Sequence, residues 1–187
     1  SAQENKREDA MRGIAILFAG LAAILAGSSA AFAANTSAGL NVSRGESDSM
    51  SYSVNIAQKY DPLLSNSVID IAPVAEIGGH AWVPKHDTPT VWGGFLAPGV
   101  RLTLNTDSFI QPYVEGTVGG EVNSKDKLGD RDLGSNVLFR TRGAVGVSFG
   151  EEFRHRIQGE YTNHSTWGIT KHNDGNATYG VSYGYSF

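Results

Sequence analysis

The sequence predicts an all-β protein, an eight-stranded antiparallel β-barrel of the outer membrane. Three observations support this fold class. Apolar and polar residues alternate along eight separate runs, the chain closes on a wide aromatic stripe, and a segment near the N-terminus has the pattern of an export signal. Alternation with a period of two indicates strands with one apolar face, and a barrel in a membrane exposes that face to lipid.

The last run shows the alternation most clearly. Residues 177–187 carry large apolar side chains at every second position, namely Tyr179, Val181, Tyr183, Tyr185 and Phe187. In an outer membrane, lipid covers such a face. The soluble alternatives, a sandwich edge strand or a soluble periplasmic barrel, would leave the aromatic stripe exposed, and exposed apolar edges promote aggregation.

The chain divides into three parts. Residues 1–10 precede a methionine and are interpreted as an upstream extension or a cloning scar. Residues 11–33 contain a basic start at Arg12, the apolar run Ile14–Leu25 and small residues in an Ala31-x-Ala33 pattern. This is the pattern of a cleaved secretory signal peptide. The remaining residues, 34–187, are predicted to form one domain, which is long enough for eight strands of about ten residues.

The composition narrows the classes of function. The chain has 23 glycines, no cysteine and a net charge of −4. Without cysteine there are no disulfides, cysteine nucleophiles or thiolate metal sites, and the acidic balance gives no case for nucleic-acid binding. The mean hydropathy of −0.22 is low for a helical membrane protein. It is ordinary for a barrel, where only alternate residues meet lipid.

The predicted strands follow in chain order. The first run is weak, and the full set is Ala38–Arg44, Ser49–Lys59, Val68–Trp82, Thr90–Leu104, Phe109–Val122, Val137–Phe149, Phe153–Thr166 and Ala177–Phe187. Short turns at 105–108 and 150–152 alternate with longer polar segments at 123–136 and 167–176. An outer-membrane barrel places its short turns in the periplasm and its long loops outside.

Charged residues lie on the face opposite the apolar one in several runs. Because side chains fill the interior of an eight-stranded barrel, these residues are expected to form a packed ion-pair network in the lumen. They are Glu76, Arg101, Glu115, Arg140, Arg142, Arg156 and Glu160. Proline removes a ladder hydrogen bond, so bulges or bends are expected at Pro73, Pro98 and Pro112. The charged segment 123–136 is interpreted as a solvated loop.

The sequence contains few motifs that indicate catalysis or the binding of a metal or nucleotide. It lacks the P-loop, GxSxG, HExxH and acidic calcium-loop motifs, and no two of its five histidines have metal-ligand spacing. No metal or cofactor is therefore expected. His80 and His86 are predicted to lie at or near an external loop. Hydroxyl, imidazole and amide groups converge in 163–168 and 172–175, which indicates either a polar strand end with a turn or a site at the outer rim.

Four segments in the second half of the chain carry a family resemblance. They are Ser108-Phe-Ile-Gln-Pro-Tyr-Val-Glu-Gly116, Leu133-Gly-Ser-Asn136, the run 142–149 and a final loop with Asn173-Asp-Gly175. In order and spacing they resemble the lipid A 3-O-deacylases, the PagL-type outer-membrane barrels. The resemblance implies a bacterial outer-membrane location and removal of the ester-linked acyl chain at position 3 of lipid A, without a cofactor or metal.

The resemblance also implies a Ser-His-Glu triad on the lipid-facing side and an oxyanion hole made by a glycine and an asparagine. The family motif reads His-x-Ser-Asn-x-Gly, then an Asn-Asp-Gly turn, then Glu two residues on. Aligned with this chain, the motif places the nucleophile on Ser165 and the oxyanion donors on Gly168 and Asn173. In such a set the base takes the hydroxyl proton, the carboxylate orients the base, and polar donors stabilise the oxyanion.

Two positions depart from the family motif. The base position falls on Asn163, with His164 one residue late, and the acid position falls on Ala177. Because successive side chains on a strand alternate, His164 is expected to point into the lumen while Ser165 faces lipid. A bulge before the following glycine would turn His164 outward and make Thr166 the hydroxyl.

Two hypotheses of function follow. The first is an ester hydrolase acting on lipid A, with Ser165 as nucleophile, His164 or else His172 as base, and Gly168 with Asn173 as oxyanion donors. The second is a non-catalytic barrel with a structural, lipopolysaccharide-binding or surface-recognition role. They differ in geometry, because the hydrolase needs a histidine and a hydroxyl together on the lipid-facing side.

Overall fold

A computed structural model describes residues 35–85, 88–170 and 174–187. The predicted signal peptide lies outside these residues. The described part of the chain contains eight strands of ten or more residues, which we number in chain order. They are β1 (Thr36–Gly45), β2 (Ser49–Lys59), β3 (Ile69–Pro84), β4 (Val91–Leu104), β5 (Ile110–Asn123), β6 (Val137–Phe149), β7 (His155–Ser165) and β8 (Asn176–Ser186).

The strands close into an antiparallel barrel. Each long strand pairs with its neighbours in sequence, and β1 pairs with β8, with Ala38 opposite Tyr185 and Gly45 opposite Thr178. Full closure leaves no unpaired edge between the long strands, which is the condition for a sheet to cross a bilayer. The eight predicted strands are confirmed, and the bounds of β2 and β6 are those predicted.

The connections differ at the two ends of the barrel. Five residues join β4 to β5, and the single turn Glu151–Phe153 lies between β6 and β7. The opposite end carries the segment 124–136, which contains a small ribbon of Lys127–Leu128 and Arg131–Asp132, and the connection 166–175. We refer to these two segments as the ribbon loop and the last loop. None of the described residues forms a helix long and apolar enough to cross a membrane.

The faces of the strands follow the sequence pattern. Large apolar residues at alternate positions are exposed on the outer surface, among them Ile77, Leu96, Val114, Val145, Ile157 and Val181. The intervening charged residues are buried in the lumen. Glu76, for example, lies inside while its neighbour Ile77 lies outside. Lipid is the natural cover for an outer surface of this composition.

The predicted ion-pair network fills the middle of the lumen. Arg142 contacts Glu76 at 3.2 Å and Glu160 at 3.6 Å, and it forms a short ion pair with Glu115. Arg140 contacts Glu76 at 2.5 Å, and Arg101 contacts Glu115 at the same distance. This confirms the network for all of the predicted residues except Arg156, which has no carboxylate within 4 Å among the described residues.

Of the bulges or bends predicted at three prolines, the bulges do not occur. Pro73 pairs with Val100 and Pro112 with Val147, and the register stays constant on both sides of each. Pro98 interrupts the recorded pairs between β4 and β5, but the same register resumes beyond it. The strands therefore accept proline by losing hydrogen bonds locally, without inserting a residue.

An apolar cluster closes the outer end of the barrel. It joins Trp82 and Val91 with Leu138 and with two residues of the ribbon loop, Leu128 and Leu133, and all five are fully buried. The ribbon loop thus folds over the barrel end, with its charged residues outward and its two leucines inward. The prediction of a merely solvated loop missed these leucines.

Candidate functional site

The predicted nucleophile lies on the outer face of the barrel. Ser165 ends β7 and shares its face with Asn163 and the exposed Ile157 and Tyr161. In β8, Ala177 is directly opposite Asn163 in the antiparallel register. Residues directly opposite on neighbouring strands have their Cβ atoms about 5 Å apart. The base and acid positions implied by the family motif therefore do lie side by side, next to the serine, but they hold an amide and a methyl group.

His164 lies on the other side of the sheet. Its side chain is 4% exposed in the lumen, and its Nδ1 lies 2.7 Å from Oε2 of Glu121. Its ring also packs edge-on against Trp82, with the centroids 4.9 Å apart. The structure therefore does not bring the His164 imidazole and the Ser165 hydroxyl together on one face.

The strand register excludes the bulge that would have turned His164 outward. His164 pairs with Asn176 on one side and with Arg140 on the other, in the same register as the rest of β7. Thr166 is also buried, and its hydroxyl lies 3.0 Å from that of Thr170. Because neither side chain reaches the outer face, the combination of His164 with Thr166 is not formed there.

The oxyanion positions are only partly described. Gly168 has a φ of +79°, in the region that favours glycine, and a Cβ built on it would meet nothing within 4 Å. It belongs to the turn after β7, in which the amide of Ile169 donates to the carbonyl of Thr166 at 3.1 Å. Asn173 and His172 lie outside the described residues, as does His86.

Aromatic pairs border the outer face around Ser165. On the outer side, Phe139 pairs with Ser165 across β6 and stacks on Trp167, with the centroids 4.6 Å apart and the planes at 11°. Toward the membrane centre, Tyr161 and Tyr179 lie 5.0 Å apart. We call the surface between these pairs the polar strip, formed by Thr141, Asn163 and Ser165, with Ala177 buried beside Asn163. Such a surface suits an amphiphile, because aromatic rings at this depth contact both acyl chains and headgroups.

The ribbon loop holds the end of the last loop in place. Nη1 of Arg131 donates to the carbonyls of Asp174 and Gly175 at 3.2 and 3.1 Å. The backbone amides of Asp132 and Asp174 complete the junction, since each donates to the other residue. Sequence reasoning missed this junction, because contacts between two loops leave no periodic signal in the sequence.

The sequence analysis also did not predict that His80 and Glu121 lie together at the outer end of the lumen. Oε1 of Glu121 accepts from Nδ2 of Asn123 at 3.1 Å, and His80 Nε2 lies 2.9 Å from Oδ1 of that asparagine. His80 lies near the outer end of β3, close to an external loop as predicted, but its side chain is 3% exposed inside the barrel and is not solvated. The alternation in the sequence did contain this information. His80 is four residues from the inward Glu76 on β3, and Glu121 is six residues from the inward Glu115 on β5, so an even spacing places both on the lumen face.

The described side chains offer no metal centre. No group of three or more His, Asp or Glu residues among them is arranged to hold a metal ion. At neutral pH the chemically distinctive groups in this part of the molecule are the Ser165 hydroxyl outside and the His164–Glu121 pair inside. The sheet separates the two.

Comparison with known proteins identifies the family. The family model described as lipid A 3-O-deacylase (PagL) matches residues 48–186, well over half of the chain. No curated protein matches the chain. The structure of the outer membrane enzyme PagL is 21% identical, with a TM-score of 0.73, covering 81% of this chain and 99% of that one.

A second solved structure has the same fold. Neisserial surface protein A is 16% identical, with a TM-score of 0.55, covering 81% of this chain and 96% of that one. At these identities the two structures support the barrel fold, and the family model supports membership. This chain is therefore a barrel of the bacterial outer membrane and belongs to the lipid A 3-O-deacylase (PagL) family.

Proposed function

We propose that this chain binds lipid A in the outer leaflet through the polar strip, and that it does so without the Ser-His-Glu ester hydrolysis implied for its family. The pairing of Asn163 with Ala177 carries this proposal. These residues occupy the base and acid positions beside Ser165. An amide nitrogen does not accept a proton at neutral pH, and a methyl group cannot orient an imidazole, so the serine hydroxyl has no activating neighbour there.

The surroundings of Ser165 support a lipid A ligand. The polar strip lies near the outer rim, where the acyl chains of the outer leaflet meet the sugar headgroup. Trp167 is 60% exposed and Ile169 is 75% exposed just beyond the strip. Small polar residues can hydrogen-bond a sugar or ester, while the flanking rings contact acyl chains.

Restoring the family residues tests the absence of hydrolysis. We expect mass spectrometry to find intact lipid A in cells that express the parent chain. The double variant Asn163→His with Ala177→Glu should lose one ester-linked acyl chain from position 3, because it rebuilds the base and the acid beside Ser165. Adding Ser165→Ala to this variant should restore intact lipid A. Loss of the acyl chain with the parent chain would contradict the proposal.

Binding is tested separately with purified barrel in detergent. Trp167→Ala removes a ring that covers one end of the polar strip, and we expect lipid A affinity to fall roughly tenfold. Trp92→Ala is the matched control, because Trp92 is also an outward tryptophan near the outer rim but lies on β4. An equal loss of affinity in both variants would place the ligand elsewhere.

The second candidate function is 3-O-deacylation by Ser165 itself. The outward position of Ser165, at the serine of the family motif, favours it. The base would have to come from His172 of the last loop. In the same lipid A assay, this function requires loss of the acyl chain with the parent and with His164→Gln, and intact lipid A with Ser165→Ala and with His172→Gln.

A further inference from the structure

Two cationic side chains, Arg44 and Lys85, lie side by side at the outer rim of the barrel. Nη2 of Arg44 donates to Oδ1 of Asp48 at 2.8 Å, and Nζ of Lys85 donates to the same oxygen at 2.9 Å. No other described carboxylate lies within 4 Å of either side chain, and Glu46 of the same turn contacts Arg131 instead. One carboxylate cannot neutralise two cations, so the group keeps a net positive charge. We call Arg44 and Lys85 the rim cation pair.

The rim cation pair lies just beyond the apolar band of the outer surface. On β1 the outward position before Arg44 is Val42, which is 47% exposed, and on β3 the outward position before Lys85 is Val83. Met50 of β2 lies opposite both Arg44 and Val83, so the two strands change from apolar to cationic at nearly the same level. Cationic side chains at such a boundary extend toward the lipid headgroups, where anionic groups attract them.

Arg44 is connected to the polar strip through β8. It lies opposite Tyr179, whose ring borders the strip. The amide of Glu46, two residues further along the chain, donates to the carbonyl of Ala177 at 2.9 Å, directly beside Asn163. Two strand spacings, about 10 Å, therefore separate the backbone of Arg44 from that of β7. The long side chain of Arg44 shortens this gap, so one amphiphile can contact the polar strip and the rim cation pair together.

The free donors of the rim cation pair suit a phosphate group. The Arg44 guanidinium has five N–H donors and the Lys85 ammonium has three, and Asp48 engages only part of each set among the described residues. The two side chains are 67% and 54% exposed, so their other donors are accessible. Phosphate oxygens accept charge-assisted hydrogen bonds from both kinds of cation. Lipid A carries phosphate groups on its glucosamine sugars.

We propose that the rim cation pair binds a phosphate group of the lipid A molecule that occupies the polar strip. This inference rests on the proposed function, because it names the headgroup contact of the same ligand. Asp48 holds the two cations next to each other, and the phosphate supplies the negative charge that one carboxylate cannot provide. The polar strip then contacts the sugar and acyl chains, while the rim cation pair selects the phosphorylated form.

Binding of two forms of lipid A to the purified barrel in detergent tests the inference. One form retains its phosphates and the other has been dephosphorylated. We expect the parent chain to bind the phosphorylated form about tenfold more tightly. The double variant Arg44→Gln with Lys85→Gln should lose this preference by weakening the binding of the phosphorylated form alone. Lys127→Gln is the matched control, because it removes an exposed cation of the ribbon loop and should keep the preference.

The outcomes separate this inference from the proposed function. Equal affinity of the parent chain for both forms would overturn the phosphate contact and leave lipid A binding at the polar strip in place. An equal loss of preference in Lys127→Gln would also overturn it, because the effect would then come from general surface charge. Trp167→Ala should weaken the binding of both forms equally, since it alters only the strip. Failure of the parent chain to bind either form would overturn the proposed function, and the phosphate contact with it.

Discussion

At the scale of single residues, the chain separates a histidine and a serine hydroxyl that the resemblance to the family motif implies side by side. Ser165 faces lipid beside Asn163 and Ala177, whereas the hydrogen-bonded His164–Glu121 pair lies in the lumen. An offset of one residue along a strand moves a side chain to the opposite face. A histidine adjacent in sequence to a serine is therefore in the wrong place for general-base catalysis when both lie on one regular strand.

The His164–Glu121 pair is expected to stabilise the outer end of the lumen. Glu121→Ala leaves His164 and Asn123 without their buried acceptor, and we expect the free energy of unfolding to fall by about 3 kcal/mol. Equilibrium urea unfolding in lipid vesicles measures this change. The control is Glu46→Ala, which removes a rim carboxylate 3.6 Å from Arg131 and should cost less than about 0.5 kcal/mol. Equal losses would mean that the buried pair is energetically unimportant.

At the scale of elements, neighbouring strands pack closely enough to require glycine at particular inward positions. A Cβ built on Gly119 of β5 would lie 2.0 Å from the carbonyl oxygen of Leu96 in β4 and 2.5 Å from Cα of Ala97. Both obstacles are backbone atoms, so no side-chain rotation relieves them. This close approach lies where Pro98 interrupts the recorded pairs between the two strands.

A matched pair of glycine substitutions tests this requirement. Gly119→Ala should lower the free energy of unfolding by about 2 kcal/mol, because the backbones of β4 and β5 must move apart. Gly143→Ala should be close to neutral, since a Cβ there meets nothing within 4 Å on the outer face. Urea unfolding in lipid vesicles again provides the measurement. A Gly119→Ala variant as stable as Gly143→Ala would show that the two strands separate without cost.

At the scale of the whole molecule, Arg142 connects opposite parts of the barrel wall. It lies on β6 and contacts Glu76 on β3, Glu115 on β5 and Glu160 on β7. Because β6 is already paired with β5 and β7, the contact with Glu76 is the one of these three that reaches across the lumen to a strand that is not a neighbour. The barrel interior is therefore specified by a few charges, with few apolar contacts at its centre.

Removal of this central guanidinium should weaken the barrel as a unit. Arg142→Met leaves three buried carboxylates with fewer counter-charges, and we expect a loss of about 4 kcal/mol in the free energy of unfolding. Samples are heated to increasing temperatures before electrophoresis, and the loss of the folded band reports unfolding. We expect this transition to occur at a lower temperature than in the parent chain and to remain cooperative. Arg154→Met, at an exposed site, should leave the transition in place. An unchanged transition for Arg142→Met would mean that water replaces the guanidinium adequately.

Much of the fold could be predicted from the sequence because a strand with one apolar face has a strict period of two. Observed strand ends differ from the predicted ones by about two residues at most, since turns at Asn105 or Gly150 interrupt the alternation. The same parity rule assigns His164 to the lumen and Ser165 to lipid. The parity rule could not show that the strands contain the three prolines without bulges. That outcome depends on whether the neighbouring strands can lose ladder hydrogen bonds locally and keep their register.

The sequence by itself determined the fold class, the inner and outer faces and the offset between His164 and Ser165, because these depend on local alternation. Only the tertiary structure decided which residues meet across strands. Asn163 lies beside Ala177 because of the register of β7 and β8, and His164 meets Glu121 across 43 positions of sequence. Arg156 was left without a carboxylate for the same reason, because the pairing of buried charges is set by barrel closure and shear, which no single strand encodes.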